Sequence, residues 1–216
     1  MAPLSKLPKP IPDEKALYEI AVRALARRAR SINEMRALLE RRQAEKKDVD
    51  AVLARLRENG YLNDARLARS FVASRIENDR QGSRRVRRDL AARRVHPEVI
   101  AKAVRSGYED VDERELLRSY LRRKLRLTKP PQKPSAVASL YRRLLRAGFA
   151  SDTIVKELQG LMKGHMRGRM MGTMRGMPRG SSLRGRAEID PEKWQEQWEA
   201  WLDSLSEAPD PDAGEL

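Results

Sequence analysis

Apolar residues recur along most of this chain at spacings of three and four, the stripe that one face of an α-helix turns toward a core. The first stripe is Leu17, Ile20, Ala21, Ala24 and Leu25; the second is Met35, Leu38 and Leu39; the third is Val49, Val52, Leu53 and Leu56. Leu67, Ala68, Phe71, Val72 and Ile76 follow, then Val86 and Leu90, then Val99, Ile100, Ala103 and Val104. Three more complete the series: Leu116, Leu117, Tyr120 and Leu121; Val137, Leu140, Tyr141 and Leu144; Ile154, Val155, Leu158 and Leu161. Strand-like alternation of useful length is absent, so the pattern predicts an all-α fold.

The punctuation between stripes agrees. Asp13 starts the first helix, and Ser31 with Glu34 forms a capping box in which each side chain can satisfy an amide of the other residue. Asp48 is expected to cap the third helix, Asn63 the fourth, and Ser135 the eighth. Gly60 closes the third helix, where a left-handed residue is cheapest as glycine. Gly82 and Ser83 break the fourth helix and begin the fifth. Pro97 suits a first helical position, and the sixth helix is expected to end at Gly107 and Tyr108 as the third ends at Gly60 and Tyr61. The seventh begins near Asp112; Pro130, Pro131 and Pro134 then force a loop, Gly148 stops the eighth helix, and Ser151 opens the ninth.

The stripes also repeat. Shifting Val86, Leu90, Val95, Ile100 and Val104 forward by 54 positions lands on Leu140, Leu144, Phe149, Ile154 and Leu158, every one apolar. A shift of 51 carries Ser31, Met35 and Leu39 onto Gly82, Val86 and Leu90. Each unit of three helices buries little by itself, so tandem three-helix bundles are expected to stack into a curved rod. The expected divisions are a disordered tail over 1–12, repeats over 13–62, 63–109 and 110–164, a Gly/Met/Arg-rich flexible linker over 165–187, and an acidic segment over 188–216. In that last segment Trp194, Trp198, Trp201, Leu202 and Leu205 share the face of an amphipathic helix that either packs on the repeats or docks a partner.

Charge changes the picture from a generic helical repeat to a binder. The chain carries +15, yet residues 187–216 hold ten acids and one lysine, a balance of −9, which leaves +24 on the first 186 residues. A helical body this basic suits a polyanion, and a −9 tail could screen it. On the fifth helix Arg87, Arg84 and Arg88 lie about 100°, 160° and 200° from Val86, the side away from the core, with Arg85 at the flank and Arg93 and Arg94 at the end. The seventh adds Arg118, Arg122, Arg123, Lys124 and Arg126, and the eighth adds Arg142, Arg143 and Arg146. Such a basic stripe would meet phosphates without reading base sequence. Tyr18, Tyr61, Phe71, Tyr108, Tyr120, Tyr141 and Phe149 sit on stripes or at helix ends and read as core, so base stacking is not the expected mode.

Chemistry finds no foothold. His96 and His165 are the two histidines, cysteine is absent, and neither a phosphate-binding glycine loop nor a metal-ligand set can be assembled, so no catalytic, cofactor or metal residue is expected. The first twelve residues lack the apolar run of a signal peptide, and no later run has the length of a membrane span; the expectation is a cytoplasmic monomer.

One ordered set carries more. Gly60, Tyr61, Leu62, Asn63, Asp64, Ala68, Phe71 and Val72, followed by Gly82, Arg85, Val86 and Leu90, resemble the signature of the RecX regulatory protein family, with a departure at Leu67 where that family often has an aromatic residue. With the repeats counted, the resemblance spans about residues 14–164. It implies tandem three-helix architecture, and a non-enzymatic regulator that lodges along the filament formed by the RecA recombinase on single-stranded DNA. There it would modulate, and mainly inhibit, RecA ATPase, strand exchange and filament growth, within DNA repair, recombination and the SOS response. Double-stranded DNA stands as a further ligand through phosphate contacts. Two other readings stay open on the residues alone: a helix-turn-helix-like DNA-binding regulator and an architectural DNA-binding protein.

Overall fold

The computed structural model describes residues 12–126, 131, 134–161 and 200. The proline-rich tail, the Gly/Met/Arg-rich linker and the acidic tryptophan-containing segment lie outside them, except Pro12 and Ala200. Every regular element among the described residues is helical: α1 (Glu14–Arg27), α2 (Ile32–Glu40), α3 (Lys46–Glu58), α4 (Asp64–Ser74), α5 (Ser83–Ala92), α6 (Pro97–Tyr108), α7 (Glu113–Arg123), α8 (Pro134–Arg146), and α9 over 151–161. The all-α expectation holds.

Capping explains most of the boundaries. Asp13 accepts from the Ala16 amide at 2.8 Å, and Asn63 from the Arg66 amide at 2.8 Å. Asp112 accepts from the Arg114 amide at 2.9 Å. The capping box forms as expected, with the Glu34 amide donating to Ser31 Oγ and the Ser31 amide donating to the Glu34 carboxylate, both at 3.0 Å. Two helix starts differ from expectation. Glu45, not Asp48, precedes α3 and makes no side-chain cap, while Asp48 lies in the first turn, where a carboxylate suits the positive end of the helix. Pro134 rather than Ser135 opens α8, its fixed φ and missing amide costing nothing there. Helix α6 ends at Tyr108 as expected, although Gly107 lacks the left-handed backbone that Gly60 adopts at φ 71°.

The chain divides into two units. The first comprises the residues up to Arg75 together with Val86–Asp110. Its α1, α2 and α3 close over Leu17, Met35, Leu39, Val49, Val52 and Leu56, each fully buried, and α4 packs on α6. Ile76–Arg85 and the chain from Val111 onward make the second, whose most deeply buried side chains include Leu117, Leu144, Phe149 and Ile154. The passage from α4 toward α5 is a π-helical turn, Arg75–Asp79, that the continuous apolar spacing through Ile76 did not reveal.

Within each unit a second helix of one repeat meets the end of the next. In the first unit, Ser31 Oγ donates to the Arg93 carbonyl at 2.6 Å and Asn33 Nδ2 to the Arg94 carbonyl at 2.9 Å. In the second, the Gly82 amide donates to the Ala147 carbonyl at 2.9 Å and the Arg84 amide to the Gly148 carbonyl at 3.3 Å. These are corresponding positions: 31 and 33 advance by 51 to 82 and 84, and 93 and 94 advance by 54 to 147 and 148. One junction is therefore built twice. Side chains bridge it at Ser31 and Asn33; at Gly82 the missing side chain lets backbone touch backbone. The orphan carbonyls of a helix end are satisfied in both cases.

Candidate nucleic-acid interface

The fourteen basic residues singled out by sequence fall into two groups. Arg87, Arg88, Arg93 and Arg94 belong to the first unit; Arg84, Arg85, Arg118, Arg122, Arg123, Lys124, Arg126, Arg142, Arg143 and Arg146 belong to the second. Arg84 and Arg93 are half-buried and the other twelve are exposed.

Most of α7's cations have partners at home. Arg118 Nε holds the buried Glu157 carboxylate at 2.8 Å, Arg122 meets Glu115 at 2.7 Å, and Lys124 meets Asp79 at 3.0 Å. The hydrogen bond that Arg118 donates to Glu157, and then the carboxylate's charge, hold the Arg118 guanidinium above its ordinary range. Together with Glu113, which accepts from the Ala150 amide at 3.0 Å and Thr153 Oγ1 at 2.8 Å, Arg118 ties α7 to the start of α9 and to α9 itself. Its role in the fold is structural. Helix α8 is the opposite case. It contains no acidic residue, its outer side shows Arg142, Arg143 and Arg146, and Arg142 and Arg143 form no ion pair among the described residues. Arg87 on α5 and Arg123 on α7 are likewise exposed and unpaired among them.

Arg93 turns inward. Its guanidinium donates to the Ala29 carbonyl at 2.6 Å, reaches Glu34 at 3.3 Å and lies 5.7 Å from the centre of the Phe71 ring. Arg94 takes a left-handed backbone, φ 58°, at the position corresponding to Gly148, a conformation costing a non-glycine residue about 1–2 kcal/mol. The junction with Ser31 and Asn33 holds it there.

Sequence reasoning missed Arg28 and Arg30. Arg28 grips Glu34 with Nη1 and Nη2, each at 3.1 Å, so that Glu34 receives two guanidiniums and the Ser31 amide. The run Arg27-Arg28-Ala29-Arg30 before the capping box was a visible signal; its meeting with Arg93, more than sixty positions later, was not. Burial pushes the Glu34 carboxyl up, but the Ser31 amide, Arg28 and Arg93 outweigh it and hold it below the ordinary carboxylate range. A depressed carboxyl contributes stability that is present above its unfolded value and is lost as pH falls through the folded one. Glu34→Gln is expected to cost about 1–2 kcal/mol at neutral pH and to flatten the acid limb of urea stability below the usual carboxylate range. An unchanged acid limb would show that Glu34 is not the group responsible.

The aromatic residues mostly lie where expected. Tyr141 and Phe149 are buried, and Phe149 meets Tyr120 edge to face at 5.5 Å. Tyr18 is half-buried under Arg55, 4.4 Å from the ring centre. Tyr61 departs from the core reading: it is 56% exposed, because the left-handed Gly60 turns the chain outward before Leu62 re-enters. Among the described residues no cluster of His, Asp and Glu could hold a metal, and no helix is long and apolar enough to cross a membrane.

Fold and surface together define a class: an all-helical tandem-repeat protein whose distinctive surface is a set of guanidiniums unpaired among the described residues. Known proteins make the class specific. The family model described as the RecX second three-helix domain matches residues 63–104. Regulatory protein RecX of Deinococcus radiodurans is 32% identical over 155 residues, covering 70% of this chain and 72% of that protein. The Pseudomonas putida (strain GB-1) protein of the same name is 32% identical over 145 residues, covering 67% and 90%. A crystal structure of RecX from Lactobacillus salivarius superposes with a TM-score of 0.56 at 19% identity, over 69% of this chain and 96% of that one, a likeness of fold. The chain belongs to the RecX regulatory protein family. These relatives are named as regulatory proteins rather than enzymes.

Proposed function

We propose that this protein modulates the RecA recombinase by binding its filament on single-stranded DNA, restraining ATP hydrolysis, strand exchange and filament growth without chemistry of its own. It acts as a cytoplasmic monomer, and the repeats 13–62, 63–109 and 110–164 are its working units. The observation that carries the reading, beyond family membership, is the acid-free α8 with Arg142 and Arg143 unpaired among the described residues. An exposed guanidinium with no internal carboxylate loses nothing when it meets a phosphate, whereas Arg118 or Arg122 must first give up an ion pair. Arg87, Arg123, Arg142 and Arg143 are therefore the primary contacts, and the remaining sequence-selected cations contribute through the general field.

RecA ATP hydrolysis on single-stranded DNA, followed with and without the protein, tests the function. The wild-type chain is expected to lower the rate. The paired substitution Arg142→Ala and Arg143→Ala should weaken that inhibition about tenfold or more in half-effective concentration, with the fold intact because both side chains are exposed. Its affinity for single-stranded DNA should lose a salt-dependence slope of roughly 1.4, two phosphate contacts at about 0.7 each. Full inhibition by the variant would remove α8 from the interface; no effect of the wild type on RecA would remove the function.

A further inference from the structure

Three guanidiniums crowd the entry to α2, and one carboxylate stands among them. Arg28 and Arg93 share Glu34. Arg30, half-buried between them in sequence and charge, forms no ion pair among the described residues, and its Nε is shut from solvent without a hydrogen-bond partner. The next acid, Asp64, accepts from the Ile32 amide at 2.9 Å and faces Arg57. Four guanidiniums thus stand against two carboxylates, an excess of two positive charges. Burial, and after it the Arg28 charge, draw the Arg30 guanidinium below its ordinary value, and the Glu34 carboxylate opposes them without prevailing. Buried donors are almost always satisfied, and the Arg30 Nε is one that no protein acceptor meets among the described residues.

We propose that Arg28, Arg30 and Arg93 form a binding site for a phosphate group, with Arg30 as its main donor. A tetrahedral oxyanion suits the place better than another planar carboxylate, because Glu34 already takes Arg28's fork and the free donors come from different side chains. Glu34 holds Arg28 and Arg93 in position, so the ligand meets a preorganised pair rather than loose side chains. The ligand's natural source rests on the function proposed above: a backbone phosphate of the DNA that the filament carries. A free phosphate offers the same chemistry, and the two are separable by experiment.

The probes are inorganic phosphate, with chloride at matched ionic strength as control, and a single-stranded oligothymidine, both on the full chain. Arg30→Met keeps the aliphatic stem and removes the fork; Arg30→Lys keeps the charge without it. Phosphate is expected to raise the melting temperature of the wild-type protein over chloride and to do so much less in Arg30→Met. Oligothymidine affinity should fall about three- to tenfold in Arg30→Met, and its salt slope by about 0.7, with Arg30→Lys recovering slope more than affinity. Loss confined to the oligonucleotide identifies a nucleic-acid phosphate as the ligand; loss confined to the thermal shift identifies a free one. Equal thermal shifts, affinities and slopes in Arg30→Met and wild type would overturn the site. The phosphate arm does not depend on RecA, so failure of the α8 variant to relieve ATPase inhibition would count against the proposed interface without touching this one.

Discussion

Alanine at Gly148 is expected to cost about 2–5 kcal/mol and to lower the urea midpoint and the melting temperature steeply. Two penalties coincide there. The backbone sits at φ 92°, which any L side chain resists by about 1–2 kcal/mol. An added Cβ would also be driven into the backbone nitrogen and Cβ of Arg85 and would come within 2.7 Å of the Gly82 carbonyl. Overpacking against backbone, which cannot rotate away, costs about 1–3 kcal/mol more. Gly82→Ala meets the same wall from the other side, since its Cβ would strike the Gly148 carbonyl and approach the Phe149 nitrogen at 2.6 Å. Gly60→Ala supplies the control. That residue is left-handed at φ 71° but has open space around it, so only the conformational cost of about 1 kcal/mol should appear. Equal losses at Gly60, Gly82 and Gly148 would mean that α5 and α8 do not touch through backbone.

Phe149→Ala should be comparably damaging, at about 3–5 kcal/mol in denaturant unfolding. The ring is fully buried and packs edge to face on Tyr120, so truncation loses transfer energy, the aromatic contact and the filling of the space left behind. Phe149 follows Gly148 directly, and the ring is thereby placed by the junction that the two glycines allow. Phe149→Leu should recover most of the loss, because volume is largely kept. If Phe149→Ala unfolds like the wild type, the core of the second unit lies elsewhere.

Helix existence was legible because it depends on near neighbours. Stripes at three and four, the Ser31–Glu34 box, Asn63 before α4 and the left-handed glycines at 60 and 148 each involve residues within a few positions of one another. Where expectation slipped, two local options of similar cost competed. Pro134 and Ser135 can both begin a helix, and Asp48 serves the first turn of α3 as well as it would have served its cap. The π-helical turn at Arg75–Asp79 keeps the same residues apolar as an α-helix would, so the period alone could not expose it.

The basic surface was legible only as a list. That Arg142 has no carboxylate on its helix is visible locally, but that Arg118 reaches Glu157 across 39 positions is not. The choice between a structural cation and a free one follows from which acids the fold brings near, and Coulomb attraction acts on distance in space rather than on distance along the chain.

From its order of residues alone, this protein's helices, their inward faces and its excess of positive charge are determined, since each depends on composition or on spacings shorter than two helical turns. Tertiary structure decided which arginines remain available. It gave Arg118 to the fold, left Arg142 and Arg143 outward, and gathered Arg28 and Arg30 beside Arg93. The reason is that a guanidinium takes the nearest acceptor, and only folding sets which acceptor is nearest.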